Sequence, residues 1–191
     1  MCIRDSNLDD VEGETGSVCG GRMELMIEPF GIGSRLFVFG AGHVAEPTVR
    51  LAVEVGFEVT VLDSGEQWAT AERFPGARIK IGDTDVLAGK LRPAADDFIV
   101  VMTATHDEDY RITKQLLRKP FYYLGVIGSA RKAAEIKRLL ARDGFTEDEI
   151  MRMTCPIGMD IGSHTPAEIA VSVAAQLIQR RNRRESSSSS G

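Results

Sequence analysis

The stretch FVFGAGHVAEP, residues 37–47, holds residue types that bind phosphate groups in nucleotide-binding proteins. Gly40, Gly42 and Ala45 follow an apolar run with the spacing G-x-G-x-x-A. Asp63 ends the next apolar run, about 20 residues further on. In such a unit the glycines permit a tight turn and the close approach of a pyrophosphate, and the acid accepts from a ribose hydroxyl. The pattern predicts a nucleotide or phosphate site; the alternative is a packed turn without a ligand.

A second group of binding residues lies in GVIGSARK, residues 125–132. Gly128 and Ser129 precede a predicted helix whose first turn carries Arg131 and Lys132. Free N–H groups, the helix dipole and two cations suit a phosphate or another anion. The alternative is a helix capped by serine with solvated basic residues.

The last loop, CPIGMDIGSHTPAEIA at residues 155–170, is richer in special residues than a plain connection requires. Gly158 and Gly162 permit a close approach of the backbone or a turn with positive φ, and Asp160 between them can hold a donor. Cys155 is either a thiol ligand or a small buried hydrophobic residue, and the second interpretation is favoured because free cysteines are usually buried.

All three histidines fall in predicted loops of the same crevice. His43 follows the glycine pair, where its ring can either reach a ligand or cap the helix. His106 and Asp109 lie one helical turn apart in TATHDEDY, residues 103–110, and are expected to face the same way. A metal site of these histidines with Asp109 or Asp160 is an alternative, but His43, His106 and His164 match no metal-binding spacing. We therefore predict no metal.

Predicted strands and helices alternate along the chain, which is typical of a parallel sheet covered by helices. We predict a doubly wound, mainly parallel Rossmann-like α/β sheet with helices on both faces. The predicted strands are RMELMIE at an edge, then RLFVFG, FEVTVLD, ARIKI, DDFIVVMT and FYYLGVI. The predicted helices are residues 43–55, QWATAERF, residues 107–118, SARKAAEIKRLLARDG, TEDEIMRM and TPAEIAVSVAAQLIQRR. We expect Trp68, in QWATAERF, to be a packing residue.

Composition narrows the classes of protein to consider. The 191 residues suit one main domain, and 43% hydrophobic with 27% charged residues is ordinary for a soluble globular protein. A net charge of -5 gives no broad basic field, so we expect no nucleic-acid partner, and no apolar stretch is long enough to suggest a membrane partner. The three cysteines match neither a disulfide framework nor a zinc motif, which favours a cytoplasmic protein.

Taken together and in order, the motifs resemble the xanthine dehydrogenase accessory protein family, XdhC/CoxI, over residues 18–182. The most specific motif is P-I-G-L-D-I-G followed by T-P-E-E-I-A, which residues 156–170 reproduce nearly throughout. The others are VCGGRMELMIEP, FGAGHVA, VTVLDS, ERFP, TATHDEDY and YLGVIGSARK. Three residues depart from the family pattern: Met159 stands for leucine, and Ala167 and Gln176 stand for glutamate.

The resemblance implies a maturation factor that binds molybdenum cofactor as cargo and assists its sulfuration and insertion into xanthine dehydrogenase or a related molybdenum hydroxylase. It also implies a non-catalytic homodimer, a cysteine desulfurase partner and an NAD(P)-binding type of fold. The glycine turn with Arg131 and Lys132 would hold the anionic end, and His43, His106 and the loop at residues 158–162 the pterin and metal. The alternatives are an NAD(P)-dependent oxidoreductase and a nucleotide-sensing interaction module.

The resemblance also suggests a division of the chain. Residues 35–183 form the Rossmann-like domain, and residues 18–34 are a remnant of the family's N-terminal domain with a linker, in which Cys19 is a candidate thiol ligand. Residues 1–17 are expected to be a non-native or disordered start, because MCIRDS looks like translated adapter sequence. Residues 184–191 are expected to be a disordered, serine-rich tail.

Overall fold

The computed structural model describes residues 2–6, 23–27 and 33–188, which belong to two separate units divided after Ile32. In the first unit, strand β1 (Cys2–Ser6) pairs antiparallel with β2 (Met23–Ile27). The strand predicted over residues 22–28 is therefore present. Within the start that was expected to be non-native or disordered, Cys2–Ser6 form its partner strand.

The second unit is built on a six-stranded sheet in which every neighbouring pair of strands is parallel. The order is β5-β4-β3-β6-β7-β8. After β3 the chain adds β4 and β5 on one side of that strand, and it then returns to add β6, β7 and β8 on the other side. This reversal confirms the predicted Rossmann-like sheet and opens a crevice at the carboxyl ends of β3 and β6. The strands are β3 (Arg35–Phe39), β4 (Glu58–Asp63), β5 (Arg78–Ile81), β6 (Phe98–Val101), β7 (Tyr123–Val126) and β8 (Met153–Thr154).

Helices cover both faces of the sheet because alternate strand residues point to opposite sides. Val38 and Val100 face the core under the first and last helices, whereas Phe39 and Val101 face the core under the others. The helices are α1 (Ala45–Glu54), α2 (Thr84–Lys90), α3 (His106–Leu116), α4 (Ala130–Arg142), α5 (Glu147–Met151) and α6 (Pro166–Ser188). Among the described residues, none of these helices combines the length and apolarity that crossing a bilayer requires.

Side-chain caps fix where the helices around the crevice begin. The hydroxyl of Ser129 accepts from the backbone N–H of Lys132 at the start of α4, and the hydroxyl of Thr105 accepts from that of Glu108 at the start of α3. Helix α5 begins with a capping box formed by Thr146 and Glu149. Each cap satisfies an N–H group that the helix itself leaves unpaired, so the helix starts are set locally by sequence.

The predicted helix over residues 67–74 is wrong, because this segment forms turns. The N–H groups of Trp68 and Ala69 both donate to the carbonyl of Gly65, and the carbonyl of Trp68 accepts from the guanidinium of Arg73 instead of a helical amide. In residues 67–74 the side chain of Arg73 thus replaces the helical backbone hydrogen bond that the apolar spacing had suggested. Two short elements, α2 and β8, were also not predicted from the sequence.

The last helix runs to Ser188, past residue 184, where the tail was predicted to start. The guanidinium of Arg181 donates to the carbonyl of Val55 at 2.7 Å, and that of Arg184 donates to the carbonyl of Asp96 at 2.7 Å. Arg184 also donates to the hydroxyl of Ser34 at 2.9 Å. These contacts tie the basic end of α6 to residues that precede β3, β4 and β6.

Substitution of Gly40 tests whether the turn after β3 requires a glycine at this position. Its φ is +107°, and a Cβ atom there would lie 2.3 Å from the carbonyl oxygen of Met102. We expect Gly40→Ala to lower the free energy of unfolding by about 2 kcal/mol or more. Gly42→Ala is the matched control, because nothing lies within 4 Å of its added Cβ. Urea unfolding followed by circular dichroism measures both, and equal effects would contradict this account of the turn.

Candidate functional site

A cavity of about 620 Å³, here called the crevice cavity, lies at the carboxyl ends of β3, β4 and β6. This is the position where open α/β sheets bind ligands, because the loops diverge at the reversal of strand order. Its lining comes from the glycine turn, the loops after β4 and β6, the first turn of α3 and the residue after β7. The lining residues are Ala41, Gly42, His43, Val44, Asp63, Ser64, Gly65, Gln67, Trp68, Met102, Thr103, Ala104, Glu108 and Ile127.

The glycine turn and the acid after β4 meet as the sequence predicts. Asp63 accepts from the backbone N–H of Ala41 at 2.7 Å with one carboxylate oxygen, and from that of Gly65 at 2.7 Å with the other. Gly42 and His43 are exposed at the mouth of the cavity. No side chain caps the start of α1 at Val44. Within the first turn the N–H of Glu46 donates to the carbonyl of Gly42 and Pro47 has no N–H, so the N–H groups left for an anion at the start of α1 are those of residues 42–44, which line the cavity.

Arg73 fastens the loop after β4 to the glycine turn, a role that the sequence did not reveal. Its guanidinium donates to the carbonyl of Ala41 at 2.9 Å, to the carbonyl of Trp68 at 2.6 Å and to the carboxylate of Glu46 at 2.9 Å. The pairing with Glu46 offsets an acidic side chain in the first turn of α1. Because Ala41 and Glu46 lie far from Arg73 in sequence, no local spacing indicates the contact.

Trp68 is a lining residue of the cavity rather than the packing residue that the sequence suggested. Its side chain is 46% exposed, and the guanidinium of Arg73 lies over its ring at 5.2 Å from the ring centroid. The rings of His43 and Trp68 form a T-shaped pair, with 5.9 Å between the centroids. Two neighbours therefore fix the indole at the entrance.

Asp109 and Lys132 form a buried ion pair beneath the loops. The carboxylate of Asp109 also accepts from the backbone N–H of Thr103 at 2.8 Å and from its hydroxyl at 2.7 Å. Asp109 is fully buried and Lys132 is nearly so, whereas His106 on the preceding turn is exposed. The expectation that His106 and Asp109 face the same way is therefore wrong. In this arrangement the ammonium of Lys132 is held by Asp109 and does not line the crevice cavity.

The remaining residues predicted around α4 lie in a different pocket, of about 570 Å³, on the outer side of that helix. Its lining residues are His106, Ser129, Arg131, Lys132, Ala134, Glu135 and Arg138. The last two pair with each other at 2.7 Å. Arg131 therefore does not join the glycine turn in one anion site. Its role in ligand binding stays a prediction that the geometry does not support at the crevice cavity.

The last loop forms a second cavity, here called the loop cavity, of about 760 Å³. It brings Gly128 together with Gly158, Asp160 and Gly162, as the sequence predicts for one crevice. Ile127 lines both this cavity and the crevice cavity. The two predicted halves of the site are thus neighbours that share one lining residue.

Helix α6 holds the loop cavity in shape through the side chain of Gln176. Its amide accepts from the N–H of Gly158 at 2.9 Å and donates to the carbonyl of the same residue at 3.1 Å. Its oxygen also accepts from the hydroxyl of Tyr123, which stays protonated because burial raises the pKa of that group. A glutamate at 176 could not donate in its charged form, so the departure from the family pattern is matched to this loop.

The three histidines lie in three different places. His43 lines the crevice cavity, His106 the pocket on α4, and His164 the loop cavity. Over residues 33–188 and the two short strands, no group of three or more histidine, cysteine, aspartate or glutamate side chains is placed to hold a metal ion. The alternative metal site is therefore not assembled within the described residues. Cys19 lies outside them.

The sheet order, the glycine turn and Asp63 define a Rossmann-type α/β domain with its ligand cavity at the strand reversal. Residues 36–177 match the family model described as the XdhC Rossmann domain. The chain belongs to this family, as the resemblance of its motifs indicated.

Curated relatives and a solved structure agree with this assignment. The chain is 34% identical over 171 residues to the uncharacterized protein YqeB of Escherichia coli (strain K12), covering 87% of this chain and 31% of that protein. It is 33% identical over 150 residues to a probable xanthine dehydrogenase subunit of Bacillus subtilis (strain 168), covering 78% and 43%. The crystal structure of a xanthine dehydrogenase from Bacillus halodurans matches with a TM-score of 0.70 and 33% identity, covering 80% and 44%. The chain therefore spans less than half the length of each.

Lys132→Met tests whether Lys132 is structural. Removing its ammonium leaves the carboxylate of Asp109 buried without its cation, so we expect the free energy of unfolding to fall by about 3–5 kcal/mol. Arg131→Met, one residue earlier and exposed, is the control and should change stability by less than about 0.5 kcal/mol. Chemical denaturation measures both variants. Similar stability of the two would show that the ion pair does not hold the loops.

Cys155 offers a test of burial through its reactivity. The thiol is partly buried against the core, and burial raises the pKa of Cys155 from 9.0 to about 11. At pH 8 its thiolate fraction should therefore be about 100-fold below that of an unperturbed cysteine. In a Cys2→Ser/Cys19→Ser variant, disulfide-reagent labelling should be slow near neutral pH and accelerate toward pH 11. Labelling of the folded chain at the rate of the urea-unfolded chain at pH 8 would contradict the pKa shift.

Proposed function

We propose that the chain binds molybdenum cofactor as cargo and assists its sulfuration and insertion into xanthine dehydrogenase or a related molybdenum hydroxylase. The observation that carries this proposal is the pair of adjoining cavities at the strand reversal, with Ile127 in the lining of both. Membership of the XdhC Rossmann family and similarity to proteins named as xanthine dehydrogenases support the association with that class of enzyme.

The two cavities suit the two chemically different parts of this cargo. The open start of α1 offers backbone N–H groups to a phosphate, and the loop cavity offers exposed Asp160 and His164 to the metal end. Volumes of about 620 and 760 Å³ lie within the range of small-molecule sites. In this proposal the protein's own residues bind and shelter the cargo, a cysteine desulfurase delivers sulfur, and two copies of the chain act together.

A second candidate function, binding of an NAD(P) nucleotide, is favoured by Asp63. Each oxygen of its carboxylate accepts one backbone hydrogen bond and keeps a further lone pair for a ribose hydroxyl. A sensing role for such a nucleotide needs only this site. An oxidoreductase role needs, in addition, groups that place a substrate and move a proton over the nicotinamide.

Direct binding distinguishes these functions. The purified chain is incubated with molybdenum cofactor and separately with NAD(H), and pterin fluorescence and nicotinamide absorbance are measured in the protein fraction after gel filtration. We expect retained pterin, reduced in a Gly42→Val variant, whose side chain enters the open start of α1, and unchanged in Arg131→Met, which alters the separate pocket on α4. Tight nicotinamide retention without pterin would replace the first proposal by the second.

A further inference from the structure

The exposure of Trp68 is not explained by folding. It is the only tryptophan in the chain, and its side chain is 46% exposed although aromatic rings such as Phe39 and Phe74 are buried in the core. A large aromatic side chain left open at the edge of a cavity is a common feature of ligand sites, because it offers a flat apolar surface with few rotatable bonds.

Trp68 is held in place before any ligand arrives. The guanidinium of Arg73 lies over the indole and is itself fixed by the carbonyls of Ala41 and Trp68 and by Glu46. The ring of His43 is nearly perpendicular to the indole, with 5.9 Å between the centroids, and gives a second support. The cation lies over one face of the indole, and Trp68 remains 46% exposed in the lining of the crevice cavity. A fixed ring loses little entropy when a ligand stacks on it.

The surroundings of Trp68 suit a flat ring attached to an anionic group. Val44, Met102 and Ile127 contribute apolar side chains to the same cavity, and the uncapped start of α1 lies in the same lining. A ring lying on Trp68 can thus carry a phosphate that reaches the N–H groups of residues 42–44 at the start of α1. Neither the glycine spacing nor the position of Asp63 specifies where the ring of the ligand lies.

We propose that Trp68 is the stacking platform for a fused nitrogen heterocycle of the ligand, with the attached phosphate at the start of α1. This inference rests on the proposed function, since it requires that the crevice cavity holds the ligand. The heterocycle is the pterin of the molybdenum cofactor or the adenine of a dinucleotide, which present the same kind of stacking surface. Arg73 acts as a positioning residue, because it holds the indole rather than touching the ligand.

Intrinsic fluorescence gives the first test, since all tryptophan emission of the full chain comes from Trp68. The chain is titrated with a pterin carrying a side-chain phosphate, with AMP and with ribose 5-phosphate, and the emission is corrected for absorption by the probes. A stacked ring quenches the indole and shields it from acrylamide. We expect this effect from the pterin phosphate or AMP, and none from ribose 5-phosphate, which carries the phosphate but no ring.

Variants then separate stacking from folding. Affinity for the ring-bearing probe is measured by calorimetry, and we expect Trp68→Leu to weaken it by about 10-fold or more, with Trp68→Phe retaining most of it. Circular dichroism and the urea midpoint show whether each variant folds like the unaltered chain. If Trp68→Leu does not fold, the quenching and acrylamide shielding of the unaltered chain decide the question, because they require no substitution.

The outcomes separate this inference from the function on which it rests. Unchanged affinity in folded Trp68→Leu, or binding of the ring-bearing probe without quenching, overturns the platform and leaves the binding function standing. Quenching by ribose 5-phosphate equal to that by the ring-bearing probe that binds also overturns it, since the ring would then contribute nothing. Failure of the unaltered chain to bind molybdenum cofactor, pterin phosphate or nucleotide removes the proposed function and the platform together.

Discussion

The buried carboxylate of Asp109 is the contact on which the crevice depends most. A buried charge is costly unless it is paired and hydrogen-bonded, and Asp109 has both an ammonium partner and two donors from Thr103. These bonds tie the loop after β6 to the first turn of α4. The stem of Lys132 reaches Asp109 across Gly128, where a Cβ atom would lie 2.5 Å from the Cδ of the lysine. The glycine is therefore required by the ion pair, whatever its part in binding.

Two further long-range contacts complete the shape of the site. Arg73 joins the loop after β4 to the glycine turn, and Gln176 joins the last loop to α6. In each case one planar side chain with several hydrogen-bonding positions serves backbone groups that belong to no helix or strand. The cavities are thus lined by irregular loops, but each loop is fixed to the regular framework by a buried or half-buried polar contact.

The sheet and much of its helical cover could be predicted from the sequence, because strands such as Phe98–Val101 are continuous apolar runs and caps such as Ser129 act within three residues. The convergence of Gly40 with Asp63 followed from the topology. The turn at Trp68 and the pairing of Lys132 could not be predicted, because Arg73 and Asp109 make contacts that no periodicity records. The position of Lys132 near the start of α4 therefore indicated a ligand-binding group, although its ammonium is paired with the buried carboxylate of Asp109.

Ile127 has a consequence for how two parts of a ligand, or two separate molecules, affect each other. Because Ile127 belongs to both linings, a ligand that displaces it in one cavity changes the wall of the other. The two compartments are then linked thermodynamically: the factor by which a first ligand changes the affinity for a second is the factor by which the second changes the affinity for the first.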